Sequence, residues 1–404
     1  MTNDDTTQDE YDSGEVELLD EQDNESDEPA PLTAQDVGEI VLYTLDWSVQ
    51  SLLERIGVTF DVNPAFQRRD AWDRRRKSLY IESLIAGLPV PQIVLAEDLD
   101  ARGRFIVLDG KQRLVTMKQF AAPDGHYREL RLKGMDFFPE LEGLTFKSMS
   151  ESLEYGPLVE GFLAQPVRTI VVRNWQRVEV LYQIFVRLNQ GSVKLSPQEL
   201  RQALFPGPFT TWVDKVSAAS TAIHDARRLR GADFRMRDAE MLLRFIAFSD
   251  DIDNYRGNLR LFLDDACKYG NSRWSDRLVH YETLAARCDS AIAAVFTVFG
   301  ENAFLRYDGQ RYIRRFNVAL FDAMSLVFAD TVVRSVLRLD VDGLRAGYEA
   351  LCATDEAFQM SLVSTTKTRD ATFTRVFKLA HAVGEVIGRP LEVEGRLTSA
   401  GYVA

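Results

Sequence analysis

Apolar positions in the first half of this chain fall in short runs of period two between helical stretches; in the second half the helical period dominates. Val41–Leu45 reads as a strand, and Val49–Ile56 as a helix with Leu52, Leu53 and Ile56 on one face. Asn63-Pro64 marks a loop. Trp72, Leu79, Leu84, Ile85 and Leu88 keep helical spacing through residues 71–87, and Gly87-Leu88-Pro89-Val90-Pro91 ends that helix. Ile93–Ala96 and Phe105–Leu108 are β-rich runs joined as a hairpin across Asp98–Gly103. Val167–Val172 is a further strand. From Gln176 to Asn189, residues Val178, Leu181, Ile184, Phe185 and Leu188 define an apolar helix face, and Gly191 supplies a left-handed cap after it. Ser196-Pro197-Gln198-Glu199 opens the next helix, with Ser as N-cap, Pro in the first position and Glu closing a capping box.

Beyond Pro206-Gly207-Pro208 the pattern is almost wholly helical. Helices are expected at 209–222, 235–249, 258–268, 274–294, 312–329, 341–353 and 371–387. No repeat recurs at a fixed period. The expected architecture is α+β: a sheet-containing unit over residues 36–206, a predominantly helical unit over 207–404, and a tail over 1–35.

Charge changes this picture at one end. The net charge of -13 resides in residues 1–30, which hold thirteen Asp or Glu and no Lys or Arg; the rest of the chain carries 48 charges of each sign. A segment so charged and so poor in apolar side chains cannot offset its chain entropy, and disorder is expected there. Two readings fit it: a solubilising tail, or a nucleic-acid mimic that folds back over a basic groove. An acidic, polar start excludes a secretory signal, and no run of eighteen apolar residues predicts a membrane span. Cys267, Cys288 and Cys352 are widely spaced and form no C-x-x-C pair, as expected of reduced thiols in a cytoplasmic protein.

The chemistry concentrates where Phe105–Leu108 runs into Asp109-Gly110-Lys111-Gln112-Arg113 and a helix opens. Helix N-terminal amides attract anions, and Lys111 and Arg113 add full positive charges there. Gln112 adds an amide able to read a base or sugar, and Asp109 suits an arginine or a metal-bound water. A buried Asp–Arg pair at a strand–helix corner is the structural alternative. Arg68, Arg69, Arg74, Arg75, Arg76 and Lys77 form a basic cluster suited to a phosphate backbone, or to a solvated helix start. Neither a P-loop nor a G-x-G-x-x-G segment is present. The four histidines, His126, His224, His280 and His381, stand in no metalloenzyme or HNH-like context.

Three segments together carry a family resemblance. Pro64–Arg68, Asp109–Arg113 and Phe185–Arg201 resemble, in order, the P-x-F-Q-R, D-G-Q-Q-R and F-x-R-L-N-x-G…L-S-x-x-E-L-R motifs of the N-terminal domain of GmrSD-type restriction enzymes. The likeness covers roughly residues 45 to 205 and extends more weakly to Thr365-Thr366…Arg375-Val376-Phe377. Lys111 departs from it, standing where the family usually carries the first Gln. The resemblance implies a ParB/sulfiredoxin-like fold for the first unit and a nucleoside triphosphate, with Mg²⁺ as a further candidate, as cofactor. It implies that Arg68 and Arg113 contact phosphates, that Gln67 and Gln112 supply directional hydrogen bonds, that Gly110 and Lys111 belong to the same cradle, and that Arg187 and Asn189 close it. Asp109 and Arg113 are the catalytic candidates.

The leading reading is a nucleotide-binding, NTP-hydrolysing or merely nucleotide-sensing, regulator of a bacterial restriction or anti-phage system. It would act with DNA and with a nuclease partner encoded elsewhere. The runner-up is a ParB-like DNA-binding module without turnover, using Arg69, Arg74, Arg75, Arg76 and Lys77. A metal-dependent nickase is the third. Homo-oligomerisation is left open.

Overall fold

The two central β-rich runs of the first half, Ile93–Glu97 and Phe105–Asp109, are buried almost throughout and form the heart of a sheet. In the computed structural model the described residues are 33, 36, 38–61, 72–99, 101–124, 127–188, 196–336, 340–364, 366–393 and 396–397. Strands β1 (Val41–Ser48), β2 (Phe60–Asp61), β3 (Ile93–Glu97), β4 (Phe105–Asp109) and β5 (Pro166–Arg173) lie in the order β1-β5-β3-β4-β2. β1 is antiparallel to β5, β5 parallel to β3, β3 antiparallel to β4, and β4 parallel to β2. Ile93, Leu95, Val107, Val167 and Val171 belong to one core. That core is shared with α1 (Val49–Arg55), α2 (Arg74–Ile85), α3 (Lys111–Ala121), α4 (Phe146–Ser150) and α5 (Gly156–Ala164). Val94, Ala96, Ile106, Leu108 and Val172 belong to a second core, under α6 (Val178–Leu188) and α7 (Pro197–Leu204). The central strands are thus covered on both faces, while β1 at the edge is largely exposed.

The helical part continues through α8 (Pro208–Ser217), α9 (Thr221–Arg227), α10 (Arg237–Asp251), α11 (Leu259–Ser272) and α12 (Trp274–Phe299). After the hairpin β6 (Leu305–Tyr307) and β7 (Tyr312–Phe316) come α13 (Val318–Phe328), α14 (Thr331–Val336), α15 (Val341–Thr354), α16 (Glu356–Val363) and α17 (Arg369–Ile387). A short hairpin, β8 (Glu392–Val393) with β9 (Arg396–Leu397), follows. The chain is α+β, as expected.

Two expected helices need correction. The stretch 209–222 is interrupted, because the Ser220 hydroxyl accepts from Ile223 N at 3.1 Å and starts a new helix. The stretch 312–329 begins as a strand: Asp308 accepts from Gln310 N and Arg311 N, both at 2.9 Å, and Gly309 has φ +96°. That Asp-Gly turn folds β7 back on β6, and Asn317 then caps α13 through Leu320 N.

The chain divides into two compact units. The first takes in the described residues of 29–243 and 264–279, the second those of 244–263 and 280–404. In the first, Arg201 donates through Nε to Asp264 (2.8 Å) and through Nη1 to Gln198 (2.6 Å), and the Tyr182 hydroxyl lies 3.2 Å from Asp264. All three partners are buried, so the network fixes α7 against α6 and α11. In the second, Arg244 grips Asp322 through Nε at 2.9 Å and Nη2 at 2.5 Å, and Arg375 Nη2 lies 3.7 Å from the same carboxylate. Burial, joined by the like charge of Arg244 and opposed by Asp322, brings the Arg375 guanidinium down to about 10.

The three cysteines are free and buried, and burial pushes the Cys267 thiol up to about 12. Among the described residues, one helix, from Trp274, is by length and composition apolar enough to cross a membrane; half of its most apolar window is buried in protein.

Candidate functional site

The Asp109–Arg113 corner is made by a strand ending one residue early on its partner. Val94 pairs with Asp109, but Leu95 pairs with Val107, so Leu108 is an extra residue and β4 bulges just before the corner. Gly110 then turns the chain at φ +96°, ψ 10°, the left-handed conformation glycine adopts most readily. A Cβ there would lie 2.9 Å from Ile93 Cγ1 and 3.2 Å from Arg113 Nη1. Helix α3 begins at Lys111 with no side-chain cap at its N-terminus.

Asp109 holds both ends of the turn. Its Oδ1 accepts from Gly110 N at 2.7 Å and its Oδ2 from Arg113 Nη2 at 3.0 Å. Arg113 Nη1 donates to the Pro91 carbonyl at 3.3 Å and to the Gln92 carbonyl. The guanidinium therefore ties the start of β3, the end of β4 and the first turn of α3 together. Both of its terminal nitrogens are committed within the protein. This matches the buried Asp–Arg pair raised as the structural alternative, although the Asp109 side chain remains 27 % exposed.

Two polar atoms near this tie have no partner among the described residues. The Gln112 Oε1 is buried and accepts no hydrogen bond, and the Tyr80 hydroxyl on α2 is likewise buried and unmet. Burial pushes the Tyr80 phenol well above its ordinary value, against the pull of the Arg113 charge. Tyr80 packs edge-on against Trp72, ring centroids 5.7 Å apart. Nothing in the spacing of the sequence linked Tyr80 to Arg113; the Arg113 charge reaches Tyr80 because α2 packs on α3.

The Lys111 charge also bears on a neighbouring element. Helix α7 packs on β4, and Glu199 in its first turn feels the Lys111 charge. Glu199 completes the expected capping box, with Oε2 accepting from Ser196 N at 2.7 Å and its own N donating to Ser196 Oγ at 3.1 Å. Burial, only partly offset by the Ser196 amide and by Lys111, pushes the Glu199 carboxyl up to about 7.

The remaining candidates are distributed as follows. Gln67, Arg68, Arg69 and Asn189 lie outside the described residues. Arg187 is exposed in the last turn of α6. Arg74, Arg75 and Arg76 are exposed in the first turn of α2, after the N-cap Asp73. Arg74 Nε donates to the Arg131 carbonyl at 2.7 Å, Arg75 pairs with Asp136 at 3.1 Å, and Arg76 stacks over Trp72 at 4.9 Å. Lys77 is buried. Arg201, at the end of the third motif, is occupied by Asp264 and Gln198. Among the described residues no group of three or more His, Cys, Asp or Glu is placed to hold a metal ion.

A covered mixed sheet with a polar, uncapped strand-to-helix corner is the class of domain these residues define. Residues 49–206 match the family model of the GmrSD restriction endonuclease N-terminal domain, so the resemblance carried by the motifs holds over that span. No curated protein and no solved structure matches the chain.

Proposed function

We propose that this protein is a nucleotide-responsive component of a restriction or anti-phage system, with the Asp109–Arg113 corner as its nucleoside triphosphate site. The family match supports the restriction setting. The observation that carries the site is the uncapped N-terminus of α3, opened by a left-handed Gly110 and flanked by Lys111 and an unmet, buried Gln112 Oε1. Oriented amides and one ammonium suit phosphate oxygens, and a buried acceptor suits a donor on a base or ribose. Asp109 and Arg113 hold the cradle in shape. With bound phosphates, the exposed part of the Asp109 carboxylate is the group available to a Mg²⁺ ion, which keeps most of its water and takes one or two carboxylates. Arg68, Gln67, Arg187 and Asn189 complete the pocket in this reading, and a separate nuclease does the cutting. A ParB-like fold belongs to the same proposal.

The test is calorimetric binding of ATP, GTP and CTP with Mg²⁺ to wild type and Lys111→Ala. Binding by wild type and a loss of ten-fold or more in the variant, at unchanged melting temperature, is expected. Equal binding by both would remove the corner from the site.

One observation favours the second reading, a DNA-binding module. Arg74–Arg76 are exposed together at a helix N-terminus, where the dipole reinforces their charge towards phosphate. In that case affinity for duplex DNA falls steeply with salt and needs no nucleotide.

A further inference from the structure

The hairpin β6–β7 gathers positive charge in the second unit, outside the span that matches the family. Residues 305–316 read Leu-Arg-Tyr-Asp-Gly-Gln-Arg-Tyr-Ile-Arg-Arg-Phe, four arginines against one acid. The two strands pair unevenly. Leu305 pairs with Phe316 and Tyr307 with Tyr312, so Ile313, Arg314 and Arg315 on β7 stand opposite Arg306 alone on β6. β7 therefore bulges at its arginine pair, and a bulge re-aims the side chains it carries.

The rest of the hairpin is held down. Phe316 packs against Phe304 and Phe321, with ring centroids 5.8 and 6.0 Å away. Phe304, fully buried, takes φ +60°, a costly conformation that persists only where the surrounding packing fixes it. The Tyr348 hydroxyl donates to the Leu305 carbonyl at 3.1 Å, and Arg306 Nη1 donates to Gln359 Oε1 at 3.1 Å. The Tyr312 hydroxyl donates to Glu349 at 2.8 Å, so the carboxylate that reaches the hairpin from α15 is already engaged. What stays open is the tip and the bulge. At the tip Asp308 serves the turn amides, and Arg311, its side chain 82 % exposed, lies 3.8 Å from that carboxylate. In the bulge Arg314 is exposed and Arg315 is partly buried. The Nε and Nη2 of Arg315 are shielded from solvent and meet no acceptor among the described residues.

Shielded guanidinium N–H groups without an acceptor are costly, and an oxyanion suits them best. The kind of oxyanion follows from the surface around them. A protein interface buries an apolar centre, yet none of the exposed large apolar side chains of the described residues comes from 305–316. Nucleic-acid interfaces are instead polar and positively charged, and a two-stranded β-ribbon fits the major groove of a duplex.

We propose that the β6–β7 hairpin is a contact for duplex DNA, with Arg311, Arg314 and Arg315 on its phosphates. A phosphate oxygen at the bulge supplies the acceptor that Arg315 lacks, and Arg311 and Arg314 add charge from exposed positions. This contact depends neither on the nucleotide reading of the corner nor on Arg74–Arg76.

The experiment is fluorescence anisotropy of a labelled duplex titrated with the full chain, without nucleotide, over a series of salt concentrations. Wild type is compared with Arg311→Gln/Arg314→Gln, with Arg315→Gln and with Arg315→Lys. Each arginine lost to Gln should weaken binding and make the slope of log K against log salt shallower by about 0.9, and the double variant by about 1.8. Arg315→Lys keeps its charge and should keep the wild-type slope. The double variant changes only exposed side chains and should melt with wild type. Unchanged affinity and slope in that variant would overturn the proposal, as would a folded wild type that does not bind the duplex. Poly-glutamate is titrated in parallel: binding as tight as that of DNA and equally sensitive to the variants would assign the hairpin to an acidic protein segment and overturn the assignment to DNA. MgATP binding, followed in the same proteins, should be equal in all of them; its absence throughout would count against the corner and leave the hairpin standing.

Discussion

Arg113 is the residue on which the corner depends, and it acts inward more than outward. Its guanidinium serves Asp109 and the carbonyls of Pro91 and Gln92. Removing it leaves a carboxylate and two carbonyls without their donor in a partly buried place. Arg113→Ala should cost about 2 kcal/mol, the pair's residual exposure keeping it below the figure for a fully buried ion pair. A urea melt should show the midpoint falling with the slope unchanged; an unchanged midpoint would mean that the tie is not made in solution. Lost nucleotide binding in this variant would therefore say little about phosphate contact, and Lys111→Ala is the cleaner probe. The Asp109–Arg113 pair was legible in the sequence because its partners stand four residues apart across the strand-to-helix corner. The carbonyls of residues 91 and 92, Tyr80 and Glu199 were not legible as neighbours, since only the tertiary fold brings them to this corner.

At the scale of elements, hydrophobic periodicity found the strands and helices that are long or cleanly patterned. β3, β4, β5, α6 and α7 lie where the alternation and caps placed them. What escaped was decided by turns and packing. β2 has only two residues, and α5 starts Gly156-Pro157 and contains Gly161, a poor helix former held by buried Val159 and Phe162. The bulge at Leu108 was also invisible, although it aims the corner. Its consequence is tested at Gly110. Gly103 and Gly110 share a positive φ, +83° and +96°, but a Cβ on Gly103 meets nothing within 4 Å, whereas one on Gly110 meets Ile93 at 2.9 Å. Gly103→Ala should cost about 1 kcal/mol, the backbone penalty alone. Gly110→Ala should cost more, because the side chain and backbone of Ile93 must also move. Thermal melts of the two variants make the comparison, and equal losses would mean that the corner is looser than the described packing.

At the scale of the whole molecule, charge and chemistry are unevenly distributed. The net acidity belongs to residues 1–30, while the rest of the chain is balanced. The second unit keeps its own buried ion cluster at Arg244, Asp322 and Arg375, and the first keeps another at Arg201 and Asp264. Such clusters specify packing and are costly to break on one side. Neither cluster is open to solvent, whereas the corner at the end of β4 combines partial exposure with nearby unmet polar atoms. The central claim is that nucleotide phosphates bind at the start of α3. Hydrogen–deuterium exchange of the full chain, with and without saturating MgATP, MgGTP or MgCTP, tests it most directly. Slowed exchange of the amides of residues 110–114 is the predicted result. A nucleotide that binds while these amides exchange as before would place the site elsewhere and contradict the account.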